Sequence, residues 1–275
     1  HIRSFAEKVV LSSDGSTLAI GASGNDLNGD NSGQVKVYRF DEAALSFKQV
    51  NGTLNGENQD DRFAYDLSLS ADGDTLVVGA PGHDANGVDT GQAKIYAWDE
   101  ESLGYNQIDA LYGGQANNKF GWSVSLSADG ETLAVGGLFE EAVGAPFNDE
   151  ESDQAGQVYV YKWDNENYKQ IGQTLNGDRN RDDFGASISL AADGETLIVG
   201  APMNDGNGFQ SGQAQVYVLD DAGNFTQLGE SLYGVDENNY FGGPVVISSD
   251  GKTFAIGAIG NNGFSGNFQV FIPEE

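Results

Sequence analysis

One twelve-residue pattern is written five times along this chain of 275 residues, and nothing else in the sequence constrains the fold as tightly. The copies are LSSDGSTLAIGA (11–22), LSADGDTLVVGA (69–80), LSADGETLAVGG (126–137), LAADGETLIVGA (190–201) and ISSDGKTFAIGA (247–258). Their turn aspartates, Asp14, Asp72, Asp129, Asp193 and Asp250, stand 58, 57, 64 and 57 residues apart. A period of that length held across a whole chain marks a propeller or a solenoid. Each copy reads as a hairpin: the Asp carboxylate accepts hydrogen bonds from backbone amides, and the following Gly takes positive φ without steric cost. The apolar, β-branched run after the turn is that of a strand buried on both faces. An aspartate needed by every copy is read as a turn cap, not as a catalytic acid or metal ligand.

The rest of each repeat completes a sheet. Nine residues ahead of each turn Asp stands an opening Phe: FAEKVVL (5–11), FAYDLSL (63–69), FGWSVSL (120–126), FGASISL (184–190) and FGGPVVI (241–247). Strand alternation points Phe120, Trp122, Val124 and Leu126 to one face and Gly121, Ser123 and Ser125 to the other. One face is large and the other small, so the large face of one sheet is expected against the small face of the next. A third strand follows, as in GQAKIYAW (91–98) and GQAQVYVL (212–219). In four copies there is also a polar fourth strand suited to an outer edge. Four strands per repeat make a blade. The expectation is an all-β chain: a single β-propeller domain over 1–275, with five blades in a ring. The repeats cover approximately 5–54, 63–112, 120–175, 184–232 and 241–272, and the closing blade is expected to lack its outer strand unless residues before His1 provide it.

The Phe-Gly that opens most repeats and the Val-Gly-Ala-Pro that closes two second strands (Val78–Pro81, Val199–Pro202) resemble the FG-GAP repeat family, the propeller repeat of integrin α subunits. The resemblance runs over essentially the whole chain. It implies a calcium-associated adhesion or recognition propeller at the cell surface or outside the cell. It also implies that the ligand face carries the loops after strands two and four. One departure matters: where many members hold a calcium loop, between strands one and two, this chain has only a short Ser-Ala-Asp-Gly turn. That turn cannot encircle an ion that takes six to eight oxygens, so the family's metal residues do not carry over.

Composition narrows the partners. A net charge of −29 and a sequence pI of about 4.1 repel nucleic acid and anionic membranes, and favour cations or basic partners. The chain has no cysteine, hence neither disulfide nor thiolate chemistry, and no apolar run long enough to insert in a membrane. Two histidines, His1 and His83, and five scattered arginines form no catalytic arrangement. Together with what the resemblance implies, the function expected is non-enzymatic: binding, adhesion or scaffolding toward a protein or glycan, as a subunit of a larger extracellular or lumenal assembly. The alternative is a glycan-processing propeller enzyme with a carboxylate pair.

Candidate sites lie in the loops after strand two. Asp26, Asn28 and Asp30 have the alternating oxygen spacing of a calcium loop, and Asp84, Asn86 and Asp89 form a weaker version. The same Asp-x-Asn-Gly is ordinary turn chemistry. Trp98, Trp122 and Trp163 could stack on a sugar or pack internally. The 64-residue step carries an insertion, Leu138-Phe139-Glu140-Glu141-Ala142-Val143-Gly144. Leu138 and Phe139, with Glu140, Glu141, Asp149 and Asp153 around them, are the expected partner anchor. The competing reading folds the apolar pair inward.

Overall fold

The structure is a computed structural model that describes residues 6–138, 155–260 and 266–272. Its strands fall into five antiparallel sheets in chain order. The first holds β1 (Lys8–Leu11), β2 (Thr17–Ala22), β3 (Gln34–Asp41) and β4 (Ser46–Asn55). The second holds β5 (Leu67–Leu69), β6 (Thr75–Ala80), β7 (Gln92–Asp99) and β8 (Gly104–Tyr112). The third holds β9 (Ser123–Leu126), β10 (Thr132–Gly137), β11 (Gln157–Trp163) and β12 (Tyr168–Asn176). The fourth holds β13 (Ser187–Leu190), β14 (Thr196–Ala201) and β15 (Gln213–Leu219), with an outer strand split into β16 (Phe225–Gln227) and β17 (Leu232–Tyr233). The fifth has β18 (Phe241–Ile247), β19 (Phe254–Ala258) and β20 (Asn267–Phe271), and among the described residues no fourth strand. This all-β stack of blades is a β-propeller architecture.

The turn chemistry read from sequence is present in each hairpin. Asp129 Oδ1 accepts from Ser127 Oγ at 2.6 Å and from Glu131 N at 2.9 Å, and Ser127 Oγ accepts from Thr132 N at 2.8 Å. Asp14, Asp72 and Asp250 repeat the arrangement, and Asp193 keeps its bond to Glu195 N. The β3–β4, β7–β8 and β11–β12 turns are capped the same way by Asp41, Asp99 and Asp164. Hydrogen bonds to the ionised form depress the carboxyls of Asp14, Asp41, Asp99, Asp164 and Asp250: the Ser12 hydroxyl and Ser16 amide hold Asp14 at about 2. The pKa of Asp250 is lowered by Ser248 and the Lys252 amide. A folded pKa below the unfolded one contributes stability above the unfolded value, which is lost as pH falls through the folded one. Relief of the −29 charge works the other way as pH drops toward the pI. Thermal melts are therefore expected to rise modestly from pH 7 to about 4.5 and fall steeply between about 4 and 2. A melting temperature that stays flat to pH 2 would show that the caps contribute nothing.

Sheets pack face to face in order, and each contact joins a small face to a large one. Ala19, Val35 and Val37 of the first sheet meet Phe63, Leu67, Leu76, Val78 and Tyr96 of the second. Val77, Ala93 and Ile95 then meet Phe120, Val124, Leu126, Leu133 and Val135, and the pattern continues to the fifth sheet. The large face of each sheet thus lies on the small face of the sheet before it, the opposite sense to that expected. Serines on the small face have a job beyond fitting. Their hydroxyls accept from the innermost strand of the following sheet: Leu126 N to Ser68 Oγ at 3.0 Å, Leu190 N to Ser125 Oγ at 2.9 Å, Ile247 N to Ser189 Oγ at 3.1 Å. Backbone amides that would otherwise be buried unpaired are satisfied across the sheet boundary. A second belt runs through the turns, from Ser13 N to Ala71 O, Ala71 N to Ala128 O, Ala128 N to Ala192 O and Ala192 N to Ser249 O, at 2.8–3.1 Å.

The expected ring does not close among the described residues. The first and fifth sheets are not packed on each other. Leu11, on the large face of the first sheet, is 57% exposed, whereas its counterpart Leu126 is 7% exposed. On the small face of the fifth sheet Val270 is 53% exposed, against 0% for its counterpart Ile95. Five consecutive sheets form an arc with an open face at either end.

Candidate functional site

The loops after the second strands and the connections into each new sheet meet on one side of the arc, as the strand directions require. Their meeting is built from backbone. The carbonyls of Val88, Asp89 and Thr90 accept from the amides of Asn117, Lys119 and Phe120 at 2.8, 2.9 and 3.1 Å. Asp30, Asn31 and Ser32 hold Asp60, Arg62 and Phe63 in the same way, and Phe209, Gln210 and Ser211 hold Asn238, Tyr240 and Phe241. Each of these three loops is thus a clamp on the segment that delivers the next opening Phe to the core. Gly91 closes the base of its clamp, with its amide on the His83 carbonyl at 2.8 Å.

That clamp accounts for the calcium-like spacing. Asp26 Oδ1 accepts from Asn31 N at 3.0 Å, Asp84 Oδ1 from Asp89 N at 2.8 Å, and Asp205 Oδ1 from Gln210 N at 2.6 Å. Asn28, Asn86 and Asn207 each donate from the carboxamide to a carbonyl of the incoming segment: Gly56 at 2.8 Å, Gly113 at 3.1 Å and Gly234 at 2.8 Å. The side chains of Asp26 and Asp84 are taken up by the loop's own amides and those of Asn28 and Asn86 by the incoming segment, and Asp30 lies exposed beyond them. Among the described residues there is no group of three or more His, Cys, Asp or Glu side chains close enough together to hold a metal ion. Asp-x-Asn-Gly here is a strut, repeated because each clamp needs one.

Below two of the clamps lies a buried polar pair. His83 Nδ1 sits 3.1 Å from Asp61 Oδ1, and in the fourth repeat Asn204 Nδ2 donates to Asp182 Oδ2 at 2.7 Å. Burial works to raise the Asp61 carboxyl, but His83 and the Asn58 and Glu57 amides outweigh it, and the net direction is down. At Asp182 burial prevails and the carboxyl is pushed up, against the opposing bonds from Asn204 and the Arg179 amide. Neither pair is open to a substrate, because all four residues are buried. Both tie the loop after strand two to the connection after strand four.

The aromatic candidates are engaged by their own neighbours. The Arg39 guanidinium lies 4.2 Å from the Trp98 ring centroid, Tyr65 lies 4.4 Å from Trp122, and Tyr168 lies 5.2 Å from Trp163. Leu138 is buried, so it does not offer the exposed anchor expected of it; an apolar side chain directly after β10 continues into the core. Phe139, Glu140, Glu141, Asp149 and Asp153 lie outside the described residues.

Exposed apolar tips stand elsewhere on this side, and the sequence reading passed over them. Phe209 and Val235 are 57% and 63% exposed, and their two connections are joined by the Asn238 amide on the Phe209 carbonyl at 2.8 Å. Asp205, Asp236 and Glu237 are exposed around them. Leu27 and Val88 are the exposed apolar residues of the first and second clamps. The available signal was a Phe inside the otherwise polar stretch NDGNGFQSG (204–212).

Comparison with known proteins bears on the fold. The FG-GAP repeat model matches residues 53–96, 111–161 and 176–217. No curated protein matches the chain. Among solved structures, the hydrazine synthase of Kuenenia stuttgartiensis is similar with a TM-score of 0.61 at 15% identity, over 96% of this chain and 70% of that one. A functionally unknown protein from Desulfotomaculum acetoxidans DSM 771 is similar with a TM-score of 0.57 at 15% identity, over 99% and 71%. At such identity the likeness is one of fold.

Proposed function

The chain belongs to the FG-GAP repeat family of β-propellers, and from that premise we propose that it is a non-enzymatic binding module acting through the side that carries the clamp loops. The observation that carries this reading is the pair Phe209 and Val235, exposed on two backbone-tied connections and rimmed by carboxylates. Large apolar side chains held in solvent on a rigid support favour contact with a partner. The acidic rim favours a partner that is basic, whether a protein segment or an amine-bearing glycan. An extracellular setting is part of the same proposal and rests on the family.

The test is capture on arrays of basic peptides and of glycans by the intact chain and by the double variant F209S/V235S. Both sites are exposed, so the melting temperature is expected to move by no more than about 1–2 °C. Capture is expected to fall at least tenfold. Equal capture by both proteins removes the site assignment. Turnover of a polysaccharide that one Asp or Glu substitution abolishes would replace the binding reading with the enzymatic one.

A further inference from the structure

Two apolar side chains stand in solvent on the side opposite the clamps, at the tips of the β3–β4 and β7–β8 turns. Leu45 is 78% exposed, the most of any large apolar residue among the described ones, and Leu103 is 61% exposed. Both have left-handed backbone, with φ of +50° and +51°, where a bulky L-residue is strained. The corresponding turns of the third and fourth sheets also use one left-handed residue each, but there it is Asn165 or Gly223, which adopt that conformation readily. Beyond Ala64, no other aliphatic side chain has positive φ among the described residues. An exposed leucine in a strained conformation adds neither packing nor ease of turning, so its use lies outside the chain's own fold.

The two tips belong to neighbouring sheets, and their roots are tied together. The Arg39 guanidinium lies 4.2 Å from the Trp98 ring centroid and 2.9 Å from Asp74 Oδ1. Arg39 stands two residues before the first turn cap, Asp41, and Trp98 one residue before the second, Asp99. Asp41 accepts from Ala44 N at 2.8 Å, and Asp99 accepts from Glu101 N at 3.1 Å and Ser102 N at 3.2 Å, so each leucine is held on a capped turn. The turns also read alike, as Asp41-Glu42-Ala43-Ala44-Leu45 and Asp99-Glu100-Glu101-Ser102-Leu103. Glu42, Glu100 and Glu101 are exposed beside the leucines.

We propose that these two tips form a second docking surface, independent of the one at Phe209 and Val235, whose occupant is a polypeptide presenting an apolar stripe edged with lysine or arginine. A basic amphipathic helix has that form. Its apolar stripe receives Leu45 and Leu103, and its cationic flanks meet Glu42, Glu100 and Glu101. The carboxylates select among occupants. They repel an anionic bilayer, and a second copy of a chain with net charge −29 would bring like charge against like.

The probe is a fluorescent peptide of about 18 residues, made of Leu and Lys with the leucines at helical spacing. Its control has the same composition in scrambled order and so lacks the stripe. Anisotropy titrations are expected to show the patterned peptide bound at least roughly tenfold more tightly than the scrambled one. L45N/L103N is expected to lose that preference, and F209S/V235S to keep it. Asn tolerates the left-handed backbone, so the melting temperature of L45N/L103N is expected to stay level or rise by about 1–4 °C. A preference that survives in L45N/L103N, or that falls only in F209S/V235S, overturns the proposal. A lower melt for L45N/L103N overturns it too, by giving the leucines a structural role. In the unaltered chain the bound peptide is expected to slow amide exchange at 42–46 and 100–104 by roughly fivefold or more. Unchanged exchange there sinks the proposal whatever the variants do. Self-association, or sedimentation with phosphatidylcholine vesicles, that L45N/L103N abolishes would make a second copy or a bilayer the occupant, and the proposal would be wrong.

Discussion

Replacing Phe120 with alanine is expected to destabilise the protein by about 3–5 kcal/mol, a large part of a typical domain stability of roughly 5–15 kcal/mol. The ring is 1% exposed and meets Tyr159 and Tyr161 edge-on, with centroids 5.4 and 6.2 Å away. It also touches backbone: Gly91 lies against the Phe120 main chain and Gly113 against its Cβ. Truncation therefore leaves a cavity walled by two sheets and a clamp, which cannot collapse without parting them. Chemical denaturation should show the loss as a lower midpoint. Leu11→Ala on the open large face is the comparison, and is expected to cost no more than about 1 kcal/mol, because that side chain is already half in water. Similar losses at the two positions would mean that the first sheet is covered in solution.

Gly91→Ala is expected to prevent folding at 37 °C. Gly91 has φ +81°, and a Cβ built there falls 2.1 Å from the Phe120 carbonyl oxygen and 2.3 Å from its nitrogen. The left-handed backbone alone costs roughly 1–2 kcal/mol for an L-residue. The clash is with backbone, so it can be relieved only by opening the clamp that carries Phe120 into the core. Gly15→Ala separates the two contributions, since it has φ +73° with nothing within 4 Å of the new Cβ. It should lose about 1–2 kcal/mol and fold normally. Soluble yield and urea midpoints compare the pair; equal effects would show that the clamp yields easily.

The repeat gives the first, second and fourth blades the same clamp and strut and all five the same turn cap, so what is common to the blades explains assembly. Recognition is proposed where the blades differ, at Phe209 and Val235, and that difference involves few residues. A titratable buried pair, His83 with Asp61, also differs from its fourth-repeat counterpart, Asn204 with Asp182. Burial leaves both pairs in a supporting role.

Local order was legible in the sequence because its causes are local. The period of two in 120–126, the Asp-Gly turns and the 57-residue step depend on residues adjacent in the chain, and β9, β10 and the Asp129 cap stand where they require. The alternation of large and small residues likewise determined that sheets would stack through unlike faces. Three things only the tertiary structure decided. Asp26 and Asn28 offer oxygens at a spacing that serves calcium or a turn equally; the Gly56 carbonyl, brought within 2.8 Å of Asn28 Nδ2, assigns the carboxamide to the clamp. Leu138 could stand in solvent or in the core, and its position at the end of β10 put it inside. Ring closure depends on the angle between successive sheets summed over the whole stack, which no residue pattern states. Among the described residues the exposed Leu11 and Val270 mark faces that no other sheet covers.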